Sequence, residues 1–340
     1  MSSSPLGIVN FGAFTLQAGQ LIQQAIAEAG FGTSGNVYYV DPVNGLDINN
    51  GSQAFTAPGG NGPVQTLAAG YALLVSGHND VLVLIGNGTS TGTARISATF
   101  TWSKNAAHLI GICSPSAISQ RARIAPPTAA ATAAFANFFV VSGNGCLFQN
   151  VSWFHGFTTG IAASICLLVS GTRNAFINCD IEGMGDAASA TSAASRNLVI
   201  SADENFFLHC NIGLDTVSRT GANASVEFKS GTARNIFENC TFPFWSGDGN
   251  TLGIIGTGAS CMDRFQLFRN CVFINSIKSG GTQMTALASL TNAAPGGLLA
   301  YQNSLLVGIT KLGDTIGLAN SYVYGPTNTT TANAVAANPT

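Results

Sequence analysis

The chain has 340 residues, 46% of them hydrophobic and only 8% charged, with 40 glycines and a formal net charge of -2. That length and apolar content suffice for a large core and exclude a mostly disordered chain, and the absence of Lys/Arg clusters excludes phosphate-driven binding of nucleic acid. So few charges leave Ser, Thr, Asn and Gly to form the polar surface and imply that part of the surface is covered by partners.

No basic region followed by an apolar run opens the chain, and no apolar stretch approaches the roughly 18 residues needed to cross a bilayer. A soluble, unprocessed protein without membrane contact is expected. In chain order, residues 16–30 (LQAGQLIQQAIAEAG) place Leu16, Leu21, Ile22 and Ile26 at the spacing of a short amphipathic helix ended by Gly30. Such a helix is suited to cap the fold or meet a partner. From Asn36 the text NVYYVDPVNGLDINNG reads as a strand and a turn-rich loop, PVQTLAAGYALL from Pro63 as a short helix, and HNDVLVLIG from His78 as the first strongly apolar strand.

A repeat then takes over. FQNVSW at Phe148, FINCDI at Phe176, FLHCNI at Phe207, FENCTF at Phe237 and FRNCVF at Phe268 share the form Phe-x-Asn-Cys-x-apolar, with a degraded copy, YQNSLL, at Tyr301. The third positions, Asn150, Asn178, His209, Asn239, Asn270 and Asn303, are 28, 31, 30, 31 and 33 residues apart. A near-constant step of this size is the signature of stacked coils. Alternation sends each Phe inward, so the five rings form a ladder at the strand spacing of about 4.8 Å. Asn178, Asn239 and Asn270 form an amide ladder at a bend, where Asn tolerates turn geometry, with His209 in the same column. Cys179, Cys210, Cys240 and Cys271 stack inside as reduced thiols; they lack the local C-x-x-C pairs of zinc sites, and no metal is expected there. The segment GPTNTTTANAVAANPT from Gly325 is uncharged and low in complexity, as an arm that orders against a neighbour would be. The expected division is therefore 1–35 as an N-terminal arm with a short helix, 36–310 as the coiled body with its N-terminal cap, and 311–340 as an extended arm. The fold class is all-β, a single-stranded right-handed parallel β-helix.

The succession VYYVDPVNGLDINNG, PVQTLAAGYALL and NDVLVLIGNG, followed by the Phe-x-Asn-Cys copies, resembles the right-handed β-helix proteins of the pectin-lyase-like superfamily over residues 36–310. The resemblance implies the fold and leaves activity open, because this superfamily includes lyases, glycosidases, phage tailspikes and non-catalytic virion proteins.

Chemistry is sparse in the aligned coils. The outward column after the Cys position, Ser152, Asp180, Asn211, Thr241 and Val272, holds one acid, and so does the column Gln149, Ile177, Leu208, Glu238 and Arg269. Neither builds a multi-carboxylate calcium site. The best pair for glycoside hydrolysis is Asp180 with Glu182, two apart on one strand face and therefore roughly 6.5 to 7 Å apart, a separation suited to inversion; Asp186 in the next loop is a third candidate. The competing expectation makes these acids solvated charges on an outward face. Asp203, Glu204 and Asp215 fall near turns. His78, His108, His155 and His209 are scattered. Trp153–Phe157 and Phe242–Trp245 are expected as packing or interface residues, with sugar stacking as the alternative, and Asp41, Asp47 and Asn49 as an Asx-rich turn that needs no ion. No cofactor is expected.

Ile177, Leu208 and Val272 point away from the core and, with Leu21, Ile22 and Ile26, are the expected interface residues. Together with the resemblance to phage proteins that use this fold as trimers, they suggest a non-enzymatic virion protein of a tailed phage. Its role would be capsid decoration or cement, as a homotrimer on the major capsid protein, assembled in the host cytoplasm. The alternative is a short tailspike or fibre that binds or hydrolyses a host surface glycan.

Overall fold

The computed structural model describes residues 35–113, 122–127, 136–156, 163–290 and 297–314, and the backbone of Ser321–Tyr324 and Val335–Ala336. The expected helix with Leu16, Leu21, Ile22 and Ile26 lies outside the described residues.

Each coil visits three parallel sheets in turn. Ala175–Ile177 lies in sheet 1, Asp180–Glu182 in sheet 2 and Arg196–Ile200 in sheet 3, after which Phe206–Leu208 returns to sheet 1 beside Ala175–Ile177. Sheet 1 collects eleven strands and sheets 2 and 3 eight each. The architecture is a right-handed parallel β-solenoid.

The repeat residues explain why the chain turns where it does. Sheets 1 and 2 are separated by one residue in the left-handed region, occupied by Asn150, Asn178, His209, Asn239, Asn270 and Asn303 with φ between 49° and 56°. Among non-glycine residues Asn adopts this conformation most readily, since its short amide can bond locally. In one step of the ladder Asn178 Nδ2 donates to Asn150 Oδ1 at 2.9 Å. His209 keeps the same backbone geometry at φ 54° while its side chain faces solvent.

Inside, the Phe rings stack as the repeat requires. Phe148, Phe176, Phe207, Phe237 and Phe268 have successive centroids 4.9, 4.7, 4.6 and 4.6 Å apart, with planes within 9° of parallel, and Tyr301 follows at 5.6 Å. The Cys column runs beside it. The thiols of Cys179, Cys210, Cys240 and Cys271 donate to the carbonyls of Phe148, Phe176, Phe207 and Phe237 in the preceding coil, at 3.3 to 3.5 Å. Ser304 takes the next place and donates to Phe268 O at 3.2 Å. A small, weakly polar donor therefore fits this column, and all four cysteines are free and buried.

The corner between sheets 3 and 1 carries a second ladder, outside the Phe-x-Asn-Cys repeat. Asn174, Asn205, Asn235 and Gln266 are at most 1% exposed. Asn205 Oδ1 accepts from Asn174 N at 3.0 Å, Asn235 Oδ1 from Asn205 N at 2.9 Å, and Gln266 Oε1 from Asn235 N at 3.2 Å. Each amide satisfies the backbone of the coil before it, as buried polar groups must. In the sequence, Asn stands two residues ahead of Phe176, Phe207 and Phe237.

At the N-terminal end, the strand Val37–Val40 and the helix Leu67–Leu73 close the core. Thr66 caps the helix by accepting from Ala69 N, and Asp47 accepts from Gln65 N and Thr66 N. Gly70 is required by proximity, because a Cβ there would come within 2.4 Å of Val40 Cγ2. At the other end, Ser321–Tyr324, within the segment expected as an extended arm, pairs with Leu298–Gln302 of sheet 1, and Val335–Ala336 adds to it antiparallel.

Candidate functional site

The outer face of sheet 2 gathers the candidate acids. Register aligns Arg123 with Ser152, Ser152 with Asp180, and Asp180 with Asn211, so these side chains form one outward column on four successive coils. Glu182 lies two residues beyond Asp180, beside Phe154. The face is nevertheless dry. Asp180 is 3% exposed, Glu182 0%, Arg123 6%, Ser152 0% and Asn211 2%. The expectation of solvated charges is therefore corrected. Pointing away from the core is not pointing into water here, because loops that leave sheet 2 pack on one another along this flank. Met184 and Leu214 in those loops are buried, and a Cβ on Gly185 would meet Gly156 Cα at 2.6 Å.

The burial dictates the chemistry. Arg123 Nη2 lies 3.7 Å from Glu182 Oε2, Ser152 Oγ donates to the same oxygen at 3.3 Å, and the guanidinium sits 4.6 Å from the Phe154 ring centroid. An inverting pair needs open space for a sugar and a water between its carboxyls. Glu182 instead spends its charge on a buried cation. Asp186 does not join the pair: its carboxylate caps the helix Ala187–Thr191, accepting from Ala188 N at 2.9 Å and Ser189 N at 3.1 Å.

His155 lies on the same flank, stacked on Phe138 at 5.0 Å, and its backbone N–H donates to Glu182 O. Burial pushes the imidazole down to about 4, with Asp186 opposing. It is therefore neutral at physiological pH. Burial, with Glu182 adding to it, pushes the Cys166 thiol well above its ordinary value, so no activated nucleophile arises there.

A second ionic cluster lies on sheet 3. Glu227 accepts from Arg196 Nε at 2.7 Å and also contacts Lys229 and Thr257. Arg219 is 1% exposed and donates to Asn223 Oδ1, Ser225 Oγ, Asn223 O and Leu252 O. Burial, and then Arg196, lower its pKa to about 9. Arg196 and Glu227 are 31 residues apart, one coil step, which is the only trace they leave in the sequence. On the exposed corner Glu204 bridges Arg173 and Arg234 at 2.7 and 2.5 Å.

The remaining candidates divide between packing and surface. Trp153, Phe242 and Phe244 are core residues, while Trp245 is half-buried. Asp41 is occupied by Val43 N and Asn44 N. Among the described residues no group of three or more His, Cys, Asp or Glu side chains is placed to hold a metal, and no helix is long and apolar enough to cross a membrane. Ile177, Leu208 and Val272 do face outward but are half-buried. The larger exposures lie elsewhere: Ile274 at 40%, Ile277 at 46%, Leu305 at 55% and Val307 at 39% on the last coils of sheet 2, and Leu46 at 49%, Ile48 at 89% and Phe55 at 44% in the entry loop.

No protein-family model and no curated protein sequence matches the chain. Solved structures do. Pectin methylesterase PemA from Erwinia chrysanthemi is similar at 17% identity and a TM-score of 0.54, covering 89% of this chain and 93% of that one. A pectin methylesterase in complex with a hexasaccharide gives 17% and 0.55 over the same shares. The pectin methylesterase from Aspergillus niger gives 17% and 0.52, over 83% and 93%. The chain thus shares the parallel β-helix fold of these pectin methylesterases. At this identity the likeness extends to the fold alone.

Proposed function

We propose that this chain is a structural virion protein of a tailed phage, a capsid decoration or cement protein that stabilises the head through contacts with its own copies, as a homotrimer, and with the major capsid protein. It would assemble in the host cytoplasm and reside on the capsid surface. The observation that carries the reading is where exposure falls. Large apolar side chains face solvent on the last coils of sheet 2 and in the entry loop, whereas the candidate catalytic carboxylates are buried or committed to capping. Exposed apolar area of this kind marks association. A rigid rod that buries it against neighbours raises the free energy of separating them, with no chemistry and no cofactor. Immunogold labelling of virions tests the reading. Label over the whole head is expected, and label confined to the tail tip overturns it.

A second reading, a short tailspike or fibre that binds or hydrolyses host surface polysaccharide, is favoured by the fold shared with pectin methylesterases. Shortened chains after incubation with host capsule or lipopolysaccharide, absent with Asp180→Asn and Glu182→Gln variants that remain folded, would establish it in place of the first.

A further inference from the structure

Five Asn–Gly pairs lie within the described residues: Asn44–Gly45, Asn50–Gly51, Asn61–Gly62, Asn87–Gly88 and Asn144–Gly145. Glycine has no Cβ to shield its nitrogen or restrict its backbone, so in such a pair that nitrogen can reach the side-chain carbonyl carbon of the asparagine. The encounter needs a glycine nitrogen free to turn and an amide oxygen held ready to take up charge. The fold withholds the first condition from four pairs. Gly45 N and Gly145 N donate to Asp41 O and Thr172 O, at 2.9 and 3.1 Å. Asn50 Nδ2 donates to Asn61 Oδ1 at 2.7 Å, and the glycines after these two residues are buried. A Cβ on Gly51 would meet Leu73 Cδ1 at 2.6 Å, and one on Gly62 would meet Asn49 Nδ2 at 2.9 Å.

Asn87–Gly88 differs on both counts. It follows the strand Val81–Ile85 in an exposed loop, and a Cβ on Gly88 would meet nothing within 4 Å. Among the described residues the Gly88 N–H makes no hydrogen bond. Asn87 Oδ1 accepts from Thr89 N and from Thr89 Oγ1, both at 3.0 Å. Two fixed donors at this distance stabilise a carbonyl oxygen that gains charge under attack. Nδ2, the group that must leave, donates to Thr91 Oγ1 at 2.8 Å, and that hydroxyl lies 2.7 Å from Thr89 Oγ1. Gly92 makes the arrangement possible, because a Cβ there would come within 2.3 Å of Asn87 Oδ1.

We propose that Asn87–Gly88 is a self-modification site, at which the chain converts Asn87 to aspartate or isoaspartate while Thr89 holds the amide oxygen. Gly88 N gives its proton to water and bonds to Asn87 Cγ. The Cγ–Nδ2 bond breaks, and ammonia leaves with a proton that Thr91 Oγ1 relays from water. Water then opens the resulting cyclic imide at either carbonyl. Overall a water is consumed, an ammonia is released and nothing is oxidised. A carboxylate replaces a neutral amide, adding one negative charge to a net charge of -2. The inference is independent of the assembly reading above.

The test is peptide mapping by mass spectrometry of the full-length chain held at mildly alkaline pH, folded and in urea, with conversion measured at each of the five pairs. In the folded chain Asn87 should convert at least about tenfold faster than the other four, and no slower than it does in urea, where the five should lie within about tenfold of one another. A different leading pair, or an Asn87 that is slower folded than unfolded, overturns the site. Thr89→Val removes the hydroxyl donor and keeps the N–H. It should slow conversion several-fold, with the rate restored in Thr89→Ser. Thr89 is exposed, and an unchanged circular dichroism spectrum and thermal midpoint would verify that both variants fold. An equal or faster rate in Thr89→Val overturns the proposal, because the hydroxyl would then not be assisting the attack.

Discussion

Glu182→Gln separates a structural carboxylate from a catalytic one. The side chains of Arg123 and Glu182 are 7% and 0% exposed and 3.7 Å apart, and the substitution keeps the shape while removing the charge opposite a buried guanidinium. Breaking a buried pair from one side typically costs about 3–5 kcal/mol, because the remaining charge loses a counter-ion in a poorly polarisable site. Fluorescence-detected urea titration at neutral pH should therefore show a loss of about that size, with the slope unchanged. In an Arg123→Met/Glu182→Met chain neither charge remains, and at least half of the loss should be recovered. A Glu182→Gln protein within about 0.5 kcal/mol of the parent, the scatter of ordinary surface substitutions, would refute the reasoning and return Glu182 to the list of candidate catalysts.

Acid should weaken the fold in a defined window. Burial pushes His108 and His155 down to about 4 from 6.5, so between those values the unfolded chain binds protons that the folded chain does not, and stability rises with pH. The contribution is complete above pH 6.5 and lost as pH falls to 4, roughly 3 kcal/mol for each histidine at most; urea titrations across the window should lose about half of that slope in His155→Phe, and an identical slope would contradict it. Phe207→Ala removes a ring stacked between two others, 4.7 and 4.6 Å away. It should cost about 3–5 kcal/mol in chemical denaturation, and a loss below about 1 kcal/mol would mean that the ladder closes over the gap. Of the eight free cysteines only Cys113 is not fully buried. An aromatic disulfide reagent should therefore titrate about one thiol in the native protein and all of them after unfolding. Rapid reaction of several thiols would show the Cys column to be open.

The coil step, the inward Phe rings, the Cys column and the bend residues were legible in the sequence because a solenoid repeats one local geometry, and each repeat places the same demand on the same residue. Asn at the bend is a single-residue backbone requirement, and a ring above a ring follows from spacing alone. The sequence also identified which residues leave the core, Asp180, Glu182, Ile177, Leu208 and Val272 among them, since alternation along a strand is local. What alternation does not contain is the second layer. Whether an outward side chain meets water depends on loops from neighbouring coils, and these are irregular in length and unconstrained by the repeat. Only the tertiary structure placed Arg123 against Glu182 across two coils, assigned Asp186 to a helix cap, buried Arg219 among carbonyl and amide oxygens, and left Leu305 and Val307 exposed on the last described strand of sheet 2. The period determined the rod; the loops and the two ends decided which of its residues face water.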